Sequence, residues 1–178
     1  SWLVALWRRD RLRWTDWLGQ SGTVPADKTT VMAQLSSMLV FDLLQNNSDR
    51  FSGGNVLGAP DGQSLYYMDN AFGFQPDPDG HQRCWFYLGR VQKFSRSLVG
   101  RLERLRAEDL RRAMGPSGQP GLAAGDDAAL LGDAEISALL ARRDRALAYI
   151  YGLSDRYGAD RVLVFLRSLP TTKGIHLN

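Results

Sequence analysis

At 178 residues the chain is sized for one domain with its own core, since domains usually run to about 100–200 residues. Hydrophobic residues make up 44% and charged residues 23%, as in ordinary globular proteins, and no run approaches the ~20 apolar residues of a membrane span. A net charge of +3 is too small to imply nucleic-acid binding, and a single cysteine, Cys84, excludes an intrachain disulfide or a cysteine-based zinc site.

Residues 2–18 interleave Trp2, Trp7, Trp14 and Trp17 with Arg8, Arg9, Arg11 and Arg13. This spacing predicts one or two short helices with an aromatic face. Asp10 and Asp16 break the basic face, so the aromatic side is expected to face a core rather than a membrane surface. Gly19 to Lys28, with Gly22 and Pro25, is expected to be loop. From Thr30 to Gln45 the apolar positions Val31, Met32, Leu35, Met38, Leu39, Phe41, Leu43 and Leu44 describe a helix buried on most sides. Asn46-Asn47-Ser48-Asp49 ends it.

Two strands, Asn55–Leu57 and Ser64–Met68, are expected around the Pro60-Asp61-Gly62 turn, and Gly73–Gly80 is a loop. Residues 84–114 read as mostly helical, with Leu98, Leu102, Leu105 and Leu110 on one stripe. Arg101, Arg104, Arg106, Arg111 and Arg112 make this region basic, but Glu103, Glu108 and Asp109 supply local partners, and a solvated face is expected. Gly115–Asp127 has the composition of a flexible connection. Asp133 suits the N-cap of a helix running to about Tyr151, and a last helix is expected over Ala159–Leu166. The expected architecture is one mainly helical α+β domain with a single central β-hairpin, lying between two polar motifs.

The first motif, Asn47-Ser48-Asp49-Arg50, leaves a buried helix and is followed by Gly53-Gly54-Asn55, where the backbone can turn sharply. The second, Met68-Asp69-Asn70-Ala71-Phe72-Gly73, puts an acid at the end of a strand and at the start of a glycine-containing loop. Hard divalent cations favour such carboxylates together with phosphate oxygens. Taken alone, Asp69-Asn70 reads first as a turn initiator. Together, two carboxylates separated by a short hairpin give the division of labour that phosphoryl transfer needs. One receives or orients the acceptor hydroxyl, and the other holds the metal on the nucleotide phosphates.

The run Val40 to Phe51 and the segment Leu65 to Gly73 resemble the four-jointed and Golgi casein-kinase group of secretory-pathway atypical kinases and their bacterial relatives. Those proteins carry an Asn-x-Asp-Arg segment and a hydrophobic strand ending in Leu-Asp-Asn. Leu139 to Gly158 is loosely similar to the closing helix of four-jointed proteins. The resemblance implies the C-terminal lobe of a protein-kinase-like fold, with Asp49 as the catalytic carboxylate and Asn47 and Arg50 orienting its loop. It also implies Asp69, with Asn55, as ligands of Mg²⁺ or Mn²⁺ carrying ATP or another nucleoside triphosphate. Asn55 stands six positions after Asp49, one more than is usual in the family. Asn70 is assigned no firm role. A protein Ser/Thr or a glycan hydroxyl is the implied acceptor. The compartment is secretory if the resemblance carries over, with a bacterial cytoplasm as the alternative, because 19 of the 22 cations are arginine, a bias typical of GC-rich genomes.

The glycine-rich loop and strand lysine that cover the phosphates in kinases are not found upstream of Asn47, where Lys28 is the one lysine and lies in a loop. The chain is therefore expected to be one lobe of a longer protein that begins before Ser1, with little activity as an isolated segment. The alternatives are a kinase-like binding module without catalysis, and a helical interaction domain in which both motifs are simply turns. His81 and His176 lie far apart, no Gly-x-Ser-x-Gly elbow is present, and a serine hydrolase is disfavoured. Cys84, beside Trp85 and Phe86, is expected to be a small core residue.

Overall fold

A computed structural model describes residues 13–51, 55–114 and 130–166. The start of the first expected helix, the Gly53-Gly54 turn, the Gly115–Asp127 connection and His176 lie outside these residues. The described part is mainly helical with one two-stranded sheet. None of its helices is long and apolar enough to cross a membrane.

Helix α1 (Arg13–Leu18) puts Trp14 and Leu18 in the core with Trp17 packed against it, as the aromatic spacing predicts. A single 3₁₀ turn (Ala26–Lys28) then leads into helix α2 (Thr29–Gln45). All of α2 except Thr29, Thr30 and Phe41 is buried. A helix surrounded on every side has no solvated stripe, and α2 serves as the central post of the fold. It contacts α1, the hairpin, helix α3 (Gln82–Leu88) and the long helix α6 (Asp133–Tyr157).

The hairpin consists of β1 (Val56–Gly58) and β2 (Leu65–Tyr67), paired antiparallel with Val56 opposite Tyr67, Leu57 opposite Tyr66 and Gly58 opposite Leu65. Met68 N–H donates to Asn55 O at 2.9 Å, which carries the ladder one residue further. Pro60 occupies the second position of a turn closed by Gly62 N–H to Ala59 O at 3.0 Å, and Gly62 adopts φ 68°. The pleat turns Leu65 and Tyr67 toward α2 and leaves Leu57, Tyr66 and Met68 exposed. Gln34, buried on α2, fixes this register: its Oε1 accepts Leu65 N–H at 2.8 Å and its Nε2 donates to Gln63 O at 2.6 Å. The Tyr67 hydroxyl donates to Gln34 O at 2.8 Å.

The region 84–114, expected to be mostly helical, holds three helices: α3, α4 (Arg96–Arg104) and α5 (Ala107–Met114). The apolar stripe is present, with Leu102 buried and Leu98, Leu105 and Leu110 packed on the core, but local caps cut it. Gly89 ends α3, and the Ser95 hydroxyl accepts Leu98 N–H at 3.4 Å to start α4. Asp109 reaches back to Arg106 N–H at 3.0 Å to start α5, in the manner of a capping box. Helix α6 starts from Gly132 rather than Asp133 and runs six residues past Tyr151, to Tyr157. Leu153 and Tyr157 continue its core face, and that burial offsets the roughly 1 kcal/mol that Gly152 costs inside a helix.

The last expected helix shrinks to one turn, α7 (Ala159–Val162). Beyond it the chain extends and pairs with residues 94–96: Phe94 N–H donates to Val162 O at 2.7 Å, Phe165 N–H to Phe94 O at 3.1 Å and Arg96 N–H to Phe165 O at 2.9 Å. This pairing buries Phe165 beside Phe94, a packing that the short apolar run alone does not distinguish from helix.

Two buried cations tie the helices together. Lys93 Nζ donates to the carbonyls of Trp17, Gly19 and Gly22, the first at 2.7 Å and the last at 2.6 Å, so it holds the end of α1 and the chain that follows. Arg142, on α6, donates from Nε and Nη2 to Leu44 O at 2.9 and 2.8 Å, and from Nη1 to Gln75 O and Asp77 O. A cation on the last carbonyls of α2 complements the helix dipole and anchors the loop that leaves the second motif.

Candidate active site

Both sequence motifs converge at the C-terminal end of α2. Asn46 takes the left-handed conformation (φ 62°) that asparagine tolerates better than most residues, and it closes the helix with Asn47 N–H on Asp42 O at 2.9 Å. Its Oδ1 accepts His81 N–H at 2.6 Å, bringing the start of α3 alongside the turn. Asn47, 2% exposed, then bridges the two motifs. Its Oδ1 accepts the Asp49 N–H at 3.0 Å, while its Nδ2 donates to Asp69 O at 3.3 Å.

Arg50 is buried and uses all five of its N–H groups. Nε donates to both carboxylate oxygens of Asp42 (3.0 and 3.1 Å), and Nη2 to Asp42 Oδ1 (2.8 Å) and Asn70 Oδ1 (2.6 Å). Nη1 donates to Asn55 O (3.1 Å) and Met68 O (2.6 Å), the carbonyls on either side of the hairpin's open end. One guanidinium thus joins α2, the strand entry and the strand exit. Burial raises the pKa of Asp42, and the Arg50 guanidinium opposes that shift.

Asn55 reaches Asp49 from the strand side, with Nδ2 donating to Asp49 O at 3.1 Å and to Oδ2 at 3.3 Å. It therefore touches the carboxylate of the first motif, despite the extra residue between them. Asp69 is exposed and left-handed (φ 50°), and its Oδ1 accepts Ala71 N–H at 3.3 Å in an Asx turn. Gly73 follows because a Cβ there would lie 3.0 Å from Asn70 O and 3.1 Å from Gln45 Oε1. Gln45 Oε1 is buried and accepts no hydrogen bond among the described residues, while its Nε2 donates to Asp42 and Asn70.

All five residues singled out from the sequence, Asn47, Asp49, Arg50, Asn55 and Asp69, belong to this one network. Three of its members carry no assigned role in the sequence reading: Asp42, Gln45 and Asn70. Asn70 Oδ1 receives Arg50, Gln45 and, at 3.5 Å, Asn47. For Asp42 the available signal was an acid inside a helix with no other charged residue, since a charge enters a core only with a partner. His81 is exposed and caps α3, its Nδ1 accepting Arg83 N–H at 3.1 Å, and Cys84 is buried as expected.

Among the described residues no group of three or more His, Cys, Asp or Glu side chains could hold a metal ion unaided. The oxygens at hand are the carboxylates of Asp49 and Asp69 and the amide of Asn55. Beside the Asp49 loop lies an open groove of about 730 Å³, bounded by Ser48 and by α3 residues including Arg83 and Phe86. Comparison with known proteins found no matching family model, no similar curated protein and no similar solved structure.

Proposed function

We propose that this chain is the acid-bearing lobe of an atypical kinase, transferring the γ-phosphoryl group of ATP or another nucleoside triphosphate to a hydroxyl. In this reading Asp49 orients the acceptor hydroxyl and receives its proton. Asp69 and Asn55 hold Mg²⁺ or Mn²⁺ jointly with the nucleotide, and Asn47 and Arg50 keep the two loops in register. The acceptor is a protein Ser/Thr or a glycan hydroxyl. The observation that carries the proposal is the Asn47 amide, which holds the main chain of Asp49 with one end and that of Asp69 with the other. Phosphoryl transfer depends on positioning two charged groups relative to one another more than on covalent chemistry. A side chain spanning both loops provides that. A cation held through nucleotide phosphates needs only one or two protein carboxylates, so a two-acid site suits it.

Calorimetric titration of ATP with and without Mn²⁺ tests the reading. The expected outcome is metal-dependent binding that Asp69→Asn weakens by at least tenfold and Asp49→Asn largely preserves. Binding that ignores the metal, or is untouched by Asp69→Asn, overturns it. The Asx turn at Asp69 also suits a non-catalytic kinase-like module. That alternative is the conclusion if the complete protein binds nucleotide and metal normally but Asp49→Asn changes no turnover.

A further inference from the structure

The loop that follows Asp69 is built around one side chain, Gln45, which is 1% exposed at the end of α2. Its Nε2 donates to Asp42 Oδ1 at 3.1 Å and to Asn70 Oδ1 at 3.2 Å, and its main-chain O accepts the Phe74 N–H. Between the Asn70 and Phe74 contacts the chain makes a turn, closed by Gly73 N–H on Asn70 O at 2.9 Å. Gly73 rests on the amide, since a Cβ there would lie 3.1 Å from Gln45 Oε1. Asn47 and Arg50 reach the near end of the loop, at Met68 O, Asp69 O and Asn70 Oδ1. Gln45 holds both ends.

This arrangement is costly to the fold. Gln45 Oε1 is buried and accepts no hydrogen bond among the described residues, so its loss of hydration is uncompensated. Turning the amide over would not relieve it. Oε1 would then face Asp42 Oδ1 and Asn70 Oδ1, and both of those atoms must be oxygens because each accepts Arg50 Nη2. Asp69 (φ 50°) and Phe74 (φ 64°) bracket the turn, both left-handed, and an aromatic residue enters that region only under strain. An apolar side chain at position 45 would fill the same core space with no orphaned acceptor. Core packing therefore does not require glutamine here, whereas the loop contacts do. Strain and an unmet polar group gathered beside one exposed acid are features that functional sites tolerate.

We infer that Gln45 is the positioning residue for the Asp69 carboxylate: it folds residues 69–74 against α2 and so fixes where that acid stands. The inference rests on the kinase reading for what Asp69 holds, a divalent cation on nucleotide phosphates, but not for what holds Asp69. Gln45 itself touches neither metal nor nucleotide and acts through Asn70 and Gly73. Its signature is a separation of stability from binding, because the side chain serves the loop at the expense of the core.

The test is Gln45→Met, an unbranched apolar side chain of similar length, in three measurements on the full chain. Heteronuclear NMR without ligand is expected to show the Asp69–Gly73 amide signals shifted or split, while those of α6 stay in place. The melting temperature is expected to equal or exceed that of wild type, because the orphaned acceptor is gone and Asp42 and Asn70 keep Arg50 as donor. Calorimetric titration of Mn²⁺ with ATP present is expected to show binding weakened by about tenfold, the usual effect of removing a partner behind a metal ligand. Unmoved loop signals, a lowered melting temperature, or Mn²⁺ binding equal to that of wild type overturns the inference. A wild-type chain that binds no Mn²⁺ with ATP sinks the kinase reading instead. The NMR and melting results, which need neither metal nor nucleotide, then decide the role of Gln45 by themselves.

Discussion

Arg50 and Asp42 form a buried ion pair, with side chains 1% and 4% exposed. Such a pair adds little net stability over an apolar one, yet removing one partner strands the other charge at about 3–5 kcal/mol. Arg50→Met is therefore expected to lower unfolding free energy by about that amount near neutral pH, as measured by urea denaturation. The loss should depend on pH, with a definite sign. Burial raises the pKa of Asp42 and Arg50 pulls it back, so the substitution leaves a carboxyl whose folded pKa is raised further above its unfolded value. A group of that kind stabilises the fold fully below its unfolded pKa and loses this contribution as pH rises through the folded pKa. The deficit of Arg50→Met relative to wild type should thus be smallest near pH 4 and grow toward neutrality. A deficit constant with pH would mean that Asp42 is not the stranded group.

At the scale of elements, the hairpin is held to α2 by one glutamine as much as by its own ladder. Gln34→Leu leaves Leu65 N–H and Gln63 O without their side-chain partners, and each unmet buried group costs about 1–3 kcal/mol. Amide exchange at Leu65 should accelerate by an order of magnitude or more, while α6 exchanges as before. Unchanged exchange at Leu65 would assign the hairpin's position to Tyr67 and the apolar contacts instead. This dependence also explains what the sequence made legible. The α2 helix, the hairpin and the two acidic loops followed from apolar period, β-preferring residues and motif spacing, all read within a few residues of one another. Gln34 and Asp42 did not, because their partners lie 31 and 8 positions away and nothing local separates a buried polar residue from a solvated one; nor did Asn70, an exposed residue whose Oδ1 receives Arg50 from 20 positions away. The break between α4 and α5 was hidden by the leucine stripe that runs across it from Leu98 to Leu110. The end of α7 was hidden because strand pairing with Phe94 is a tertiary event.

For the whole molecule, buried polar side chains tie distant segments together alongside the apolar core. Lys93 fastens α1 and the chain after it, Arg142 fastens the loop after the second motif to α2 and α6, and Arg50 fastens the hairpin's mouth. Lys93 and Arg142 donate to main-chain carbonyls and so bind a path of the chain, whereas Arg50 binds the side chains of Asp42 and Asn70 as well. The two acidic loops are in this way carried by the most enclosed part of the protein although Asp69 itself is exposed. Rigid support under exposed functional groups is what a positioning site requires.

Cys84 has a practical consequence of a different kind. It is the chain's one thiol, buried against α2 with Sγ 3.7 Å from Asp42 O, and burial pushes its pKa up to about 12. Thiol reagents attack the thiolate, so at pH 8 only roughly one molecule in 10⁴ is reactive even before access is considered. Labelling must then wait for α3 to lift from α2, and its rate becomes a clock for that opening. The protein carries its own stopwatch under the Asn47–Arg50 loop. A reagent rate equal to that of the unfolded chain would show that α3 is not held down at all.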